Sequence, residues 1–396
     1  MDGRTGNGRV APALGTVAPR TGILLGAVLV GAAVLASGCG AAPAADAGET
    51  LVIAVTAVAN EPAPTLTTAA RTAVQDALNT DHARLRVVVS GMERPTVVAD
   101  EDLRLLRGSQ VENDAARRAE LTARRMSQVA EVVGGAAGQV PNLDLFTLLD
   151  HVARTPGRVT AVVISSGVQT TGPLALARLG WDQVGTAQVV AQAEHEGLVP
   201  DLRGKRVVFS SLGEVRQPQE VLPPPLRERL ARMWLGICEA GGGDCSVDRE
   251  PVTGGPPHSS TPVPTVPVPH APALTAPAAA PVELPSDILF GPDSADLLPD
   301  AEPLLRQVVQ ALPPGAHLRL EGRTASVGPA DTARDLSLRR AEAVRDSLVL
   351  QGIPANTITT TGLGFDRPLA PDRDTTGNLI PTAAQRNRTV TLAVRP

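Results

Sequence analysis

The sequence predicts an open α/β sheet domain over residues 48–250, followed by a smaller α+β domain with a mixed sheet over residues 287–396. Three observations predict it. Short β-branched runs alternate with longer amphipathic stretches in the first region, the pattern of βαβ units. From Pro251 to Ser286 the chain is mostly Pro, Ala, Val, Thr and Ser, with Glu283 its one charge, so a boundary falls there. Beyond it a new set of helix and strand patterns begins, with a clear helix stop at Gly352-Ile353-Pro354. At 396 residues, 43% of them apolar, the chain has room for two or three domains with real cores.

Charge and aromatic content exclude some functions. A formal net charge of -5 without a concentrated basic stretch argues against nucleic acid as a partner. Aromatics make up 2% and there is no Tyr, so platforms for stacking bases or sugars are nearly excluded.

The N-terminus carries Arg4, Arg9 and Arg20 against Asp2, then an apolar run from Ile23 to Ala36 that breaks at Ser37-Gly38-Cys39. A positive head, a short apolar middle and small residues at the end make an export signal. At ~1.5 Å per residue the run covers roughly 21 Å, short against a ~30 Å hydrocarbon core, so a permanent span ranks second. Leu35-Ala36-Ser37-Gly38-Cys39 resembles a bacterial lipobox, with Leu one place earlier than in the commonest pattern. The resemblance implies that residues 1–38 are removed and Cys39 is acylated, leaving residues 39–47 as a short tether. An ordinary signal with an incidental Cys39 is the alternative.

Export also bears on Cys238 and Cys245, which flank Glu-Ala-Gly-Gly-Gly-Asp. In an oxidising compartment two close cysteines read as a disulfide, the alternative being two unpaired thiols. No His or second Cys pair lies at ligand spacing, so no zinc site is expected.

In residues 48–250 strands are expected at 51–55, 85–89, 159–164 and 206–209. The first, third and fourth are nearly continuous apolar runs, as for strands covered on both faces. Helices are expected at 69–78, 114–133, 143–153 and 226–237, the last behind the start signal Pro223-Pro224-Pro225. In open α/β sheets ligands bind beyond the carboxyl ends of strands, so site chemistry is expected at those ends. The arrangement resembles a von Willebrand factor A-type, Rossmann-like fold at the level of fold alone. That family's metal site needs Asp-x-Ser-x-Ser after the first strand; here the strand runs into Thr56-Ala57-Val58-Ala59-Asn60-Glu61, so no metal is expected.

Nor is there a phosphate cradle of the G-x-G-x-x-G or G-x-x-x-x-G-K-[ST] kind, and no cofactor is expected. Ser165 and Ser166 lack the nucleophile-elbow pattern and a placed base, and Glu194-His195-Glu196 lacks the second His of a zinc protease helix. Asn60-Glu61 and Ser165-Ser166-Gly167 are the ligand-contact candidates by position, with capping and turn roles as the alternative. No catalytic set can be assembled, and the chain reads as a non-enzyme.

Residues 251–286 read as a semi-rigid polyproline spacer that at ~3.1 Å per residue would reach about 110 Å.

The last region opens with Phe290-Gly291-Pro292-Asp293-Ser294-Ala295, then a helix through Leu304-Leu305 and Val308-Val309 and a strand at 317–322. The loop Arg323-Thr324-Ala325-Ser326-Val327-Gly328 follows, then a helix carrying Leu336-Ser337 and Arg339-Arg340-Ala341. Leu336, Ala343, Val344 and Leu348 are expected to form that helix's core stripe. Further strands are expected near 358–361 and 390–394. The patterns F-x-x-x-S-A, L-S-x-x-R-A-x-x-V-x-x-x-L, G-I-P and Thr361-Gly362-Leu363-Gly364, and more loosely Asn387-Arg388-Thr389-Val390, resemble the OmpA-like peptidoglycan-binding domain over nearly all of residues 287–396.

The resemblance implies a groove for the diaminopimelate of wall peptides, where a loop Asp takes the ammonium and a helix Arg takes the carboxylate. Carried over by position, it implicates Arg340, Thr324 and Asn387 in peptidoglycan binding. The loop Asp position is Ala325 and the family Asn position is Ala333, which implies weakened binding. Asp331 and Asp335 are the nearby carboxylates that could substitute, and a surface ion pair with Asp335 is the alternative for Arg340.

The expected protein is thus a noncatalytic, lipid-anchored lipoprotein of the cell envelope, exported to the outer face of the membrane and linked to peptidoglycan. The alternative is an envelope protein-interaction module whose OmpA-like domain has lost its ligand; a hydrolase in the α/β domain ranks third.

Overall fold

The structure, a computed structural model, describes residues 48–80, 83–252, 254–270 and 281–395. The leader (residues 1–38), Cys39 and the rest of the tether to residue 47 lie outside them. Among the described residues no helix is long and apolar enough to cross a membrane.

The middle region runs β1 (Thr50–Val55), α1 (Thr68–Leu78), β2 (Arg84–Val89), β3 (Thr96–Asp102), β4 (Leu106–Arg107), β5 (Gln110–Val111), α2 (Ala115–Gly134), α3 (Leu145–Arg154) and β6 (Val159–Ile164). It continues with α4 (Leu176–Leu179), α5 (Ala187–His195), β7 (Lys205–Ser210), α6 (Pro224–Ala240) and β8 (Asp244–Val247). The strands form one open sheet in the order β3-β2-β1-β6-β7-β8, parallel except for the antiparallel edge pair β2/β3. β4 and β5 pair only with each other.

The apolar strand runs have a direct structural cause. In β1, Leu51, Ile53 and Val55 face one core and Val52 and Ala54 face the other; in β6, Val162 and Ile164 divide from Ala161 and Val163 in the same way. Helices cover both faces, so neither face tolerates polar alternation.

β3 was not expected. Nearly all of Thr96–Asp102 is exposed, and its acids answer the basic residues of β2, with Asp100 bonded by Arg84 and 2.9 Å from Arg86. A charged edge strand of this kind blunts edge-to-edge association and hides the apolar signal that identifies a buried strand.

Cys238, at the end of α6, and Cys245, in β8, are joined by a disulfide with a Cα–Cα distance of 6.2 Å, as expected from their spacing. It ties the last helix of the region to its last strand.

The expected free spacer is corrected by the structure. Val263, Val266 and Val268 are buried in the core on the α6 side of the sheet. Gln219 brackets Val266 with a bond to its carbonyl (2.9 Å) and one from its N–H (2.7 Å), Trp181 Nε1 donates to the Pro267 carbonyl (2.8 Å), and Ser259 Oγ donates to the Gly138 carbonyl (2.7 Å). Periodic Val among Pro supplies apolar side chains that a rigid extended segment can seat without further entropy loss, so this part of the chain folds onto the domain rather than away from it. At the other end the spacer's last residues are already a strand.

That strand, β9 (Val282–Pro285), opens the C-terminal region. After it come α7 (Ser286–Leu289), α8 (Ala301–Ala311), β10 (His317–Arg323), α9 (Ala330–Leu350), β11 (Ile358–Gly362), α10 (Pro381–Asn387) and β12 (Thr389–Arg395). The mixed sheet has the order β11-β10-β12-β9, with β10/β11 parallel and the other pairs antiparallel.

The helical stripe is set differently from the expectation. Ala333, Ser337, Arg340, Ala341, Val344 and Leu348 are the buried residues of α9, while Leu336 and Ala343 are half-buried at its flank. The reason is the close seat of α9 on β10: a Cβ on Gly322 would lie 1.9 Å from the Ser337 carbonyl oxygen. That approach rotates Ser337 inward, where its hydroxyl accepts from the Gly364 N–H at 2.9 Å.

Candidate functional site

α9 and the β10–α9 loop place the functional side chains. The loop is fixed from outside: the Asp372 carboxylate accepts from Ser326 N–H (2.8 Å) and Ser326 Oγ–H (2.6 Å). Burial alone would push Asp372 up, but these bonds together hold it below the usual carboxylate range. From the other side Thr324 N–H donates to the Gly364 carbonyl at 2.8 Å. The loop therefore presents Thr324 and Ala325 to a cavity of about 260 Å³ against Ala333, Leu336 and Arg340 of α9. Thr324 Oγ1 is buried there with no hydrogen-bond partner among the described residues.

Arg340 is 5% exposed, so it is no surface residue. Its Nε donates to the Ser294 carbonyl at 2.9 Å and its Cζ lies 5.4 Å from the centre of the Phe290 ring. Both contacts come from the F-x-x-x-S-A segment, which is why that segment and the helix motif occur together. Among the described residues its terminal nitrogens make no hydrogen bond, so the fork that would grip a carboxylate is not otherwise engaged. Burial pulls its pKa down to about 10, against the attraction of Asp287, Asp293 and Asp182. It stays charged at neutral pH.

Two expected substitutes for the missing loop carboxylate do not reach the cavity. Asp335 is exposed and pairs with Arg339 on the outer face of α9 at 3.0 Å, and Asp331 is exposed in the first turn. The carboxylates that do line it are Asp293 and Asp182, the second from the loop after α4 in the middle region. Asp182 Oδ1 is 3.0 Å from Arg388 Nη1, and both side chains are largely buried. Two acids and two arginines thus share one small cavity.

Asn387 has another task. Buried at 0% exposure, it accepts from Ala370 N–H (3.0 Å) and donates to the Ala370 carbonyl (2.8 Å), clamping the segment before α10 instead of lining the cavity. Sequence reasoning missed Asp182, Asp293 and Arg388. Arg388 and Asp293 sit inside quoted motifs and were within reach; Asp182 comes from another region and carries no local signal.

Behind the cavity lies a buried pair that joins the two regions. Arg229 of α6 is 3.7 Å from Asp287 of α7, and donates to the Trp181 carbonyl at 2.9 Å and to the Phe290 carbonyl. Burial raises Asp287 to about 6 despite Arg388, Arg229 and Arg340 nearby, and lowers Arg229. Desolvation outweighs attraction in this pair.

The strand ends of the middle region hold a different arrangement. Glu61, 3% exposed, accepts from Thr56 Oγ1 (2.7 Å), Val58 N–H (3.1 Å), Ser165 Oγ (3.3 Å) and Ser166 N–H (2.6 Å). The free volume beside it is about 10 Å³, the size of a water site rather than a ligand site. Glu61, Ser165 and Ser166 therefore hold loops together, while the buried Asn60 side chain makes no hydrogen bond among the described residues. Among the described residues no group of three or more His, Cys, Asp or Glu could hold a metal ion.

A family model locates one likeness in the C-terminal region. The model of the OmpA family matches residues 289–379. The chain is 34% identical over 109 residues to the peptidoglycan-binding protein ArfA of Mycobacterium tuberculosis, covering 27% of this chain and 32% of that protein. It is 37% identical over 105 residues to outer membrane protein A of Yersinia pseudotuberculosis, covering 26% and 29%. Among solved structures, the peptidoglycan-associated lipoprotein of Burkholderia pseudomallei is 30% identical over 27% of this chain and 88% of that one, with a TM-score of 0.23. The chain spans about a third of the length of these curated relatives.

Proposed function

We propose, from the OmpA family domain at residues 289–379, that the chain is an envelope protein that holds the cell wall through the Arg340 cavity. The observation that carries the reading is the buried Arg340 guanidinium, with unengaged terminal nitrogens, opening into a small cavity of balanced charge. A ligand end bearing one ammonium and one carboxylate matches two acids and two arginines better than a simple anion or cation does. The diaminopimelate side chain of wall peptides is such an end, and 260 Å³ suits it rather than a drug-sized molecule. ArfA, 34% identical over 109 residues of this chain, is itself named a peptidoglycan-binding protein.

Residues 1–38 serve as an export signal, Cys39 as the acylated anchor and residues 39–47 as its tether, which places the protein at the outer face of the membrane. The middle region, an open parallel sheet with one antiparallel edge strand, is read as a von Willebrand factor A-type fold without metal, cofactor or catalysis. The loops after β1 and β6 close on Glu61, which supports a scaffolding role for those two strand ends. Peptidoglycan is then the partner of the C-terminal region.

Co-sedimentation of the full chain with purified sacculi tests the reading. The wild type should pellet with them, and Arg340→Ala should shift most of the protein to the supernatant, while free meso-diaminopimelate should compete. Pelleting that neither the substitution nor the competitor changes would refute it and favour the protein-interaction alternative.

A further inference from the structure

The OmpA-like loop has Ala325 where the family has a carboxylate, yet the cavity is not short of negative charge. One of its acids, Asp182, belongs to the middle region, and its neighbour Gln183 lines the same cavity. We propose that the wall-ligand site is a composite of both regions, with Asp182 supplying the carboxylate that receives the ligand's ammonium.

Four observations carry this. Asp182 is held in place rather than loose: Gln183 Nε2 donates to its Oδ2 at 2.8 Å, and Arg388 Nη1 stands 3.0 Å from Oδ1. Oδ1 is nonetheless buried without a hydrogen bond of proper geometry among the described residues, as is Thr324 Oγ1 in the same cavity. An ammonium has three donors and no acceptors, so it would supply the hydrogen bond that Thr324 Oγ1 lacks and share Asp182 Oδ1 with Arg388. The backbone is also shaped to bring Asp182 in. Gly180 has φ +78°, and a Cβ there would lie 2.9 Å from Asp182 Oδ1 and 3.3 Å from Arg388 Nη1. Finally, the two regions are pinned beside the cavity by Arg229, which bonds Trp181 and Phe290 at once, so the residue next to Asp182 and the residue under Arg340 move together.

The consequence is that recognition depends on the two regions being docked. The middle region needs no ligand of its own to matter for wall binding; its contribution is one carboxylate at the right place.

This inference rests on the wall-binding reading, and the test separates the two. Binding of the full chain to sacculi is measured for the wild type, Asp182→Asn, Asp293→Asn, Arg340→Ala and the double variant Asp182→Asn/Ala325→Asp, each checked by its thermal unfolding midpoint. Asp182→Asn should weaken binding about tenfold to a hundredfold, the range for loss of one charge-assisted hydrogen bond. Adding Ala325→Asp should restore most of it by returning the carboxylate to the loop. Loss in Arg340→Ala with none in Asp182→Asn would overturn the composite site while leaving the wall reading intact. So would loss confined to Asp293→Asn. Tighter binding by Asp182→Asn would overturn it too, since Asp182 would then be a plug. Indifference to every substitution, Arg340→Ala included, would remove the wall reading and the inference with it.

Discussion

Asp287 is the residue whose environment makes the sharpest demand on pH. It is fully buried between the two regions, and its pKa rises from 3.8 to about 6 because burial outweighs the arginines around it. The folded state therefore holds this proton more tightly than the unfolded chain does. Its contribution to stability is full below about pH 4 and declines as pH rises through 6. In urea unfolding between pH 4.5 and 7, Asp287→Asn should gain on the wild type as pH rises, because the amide never pays for ionisation. A constant difference across that range would contradict the assignment. At this scale the sequence was partly legible. Arg340 and Thr324 could be placed by motif, whereas Asn387 could not be told from a ligand residue, since a motif records that a side chain matters and not whether it faces ligand or backbone.

Elements follow the same division. Strands β1 and β6 were legible because two-sided burial leaves an unbroken apolar run, β7 through Val207-Val208-Phe209 although its second face carries the exposed Arg206, and α9 because its motif is long. β3 was hidden by its exposure and β8 by its shortness. The stripe of α9 was misplaced by a rotation that its own sequence does not contain: it comes from the absence of a Cβ at Gly322 on the neighbouring strand. Gly322→Ala should force Ser337 and its bond to Gly364 apart and destabilise the chain by about 3 kcal/mol or more, measured as a fall in ΔG of unfolding. A change below about 1 kcal/mol would mean that α9 can lift from β10 without cost.

Across the whole molecule, the Pro-rich stretch and the Arg229 cluster change the picture from beads on a tether to two regions in contact. Composition correctly marked residues 251–286 as unusual, but it cannot tell a segment that spans solvent from one that lies in a groove of its own chain. The buried Val263, Val266 and Val268 decide for the groove. Replacing all three by Ser should lower the stability of the middle region by several kcal/mol, at roughly 1.5–3 kcal/mol for each buried Val side chain. A passive spacer would show no change in the unfolding curve.

The same docking makes the cavity a property of the full chain, and calorimetric titration of that chain with a wall stem peptide containing meso-diaminopimelate tests it most directly. The wild type should bind the peptide saturably, and Arg340→Ala should abolish that binding at equal fold stability. Absence of any binding heat with the wild type across temperatures, or an unchanged isotherm with Arg340→Ala, would contradict it.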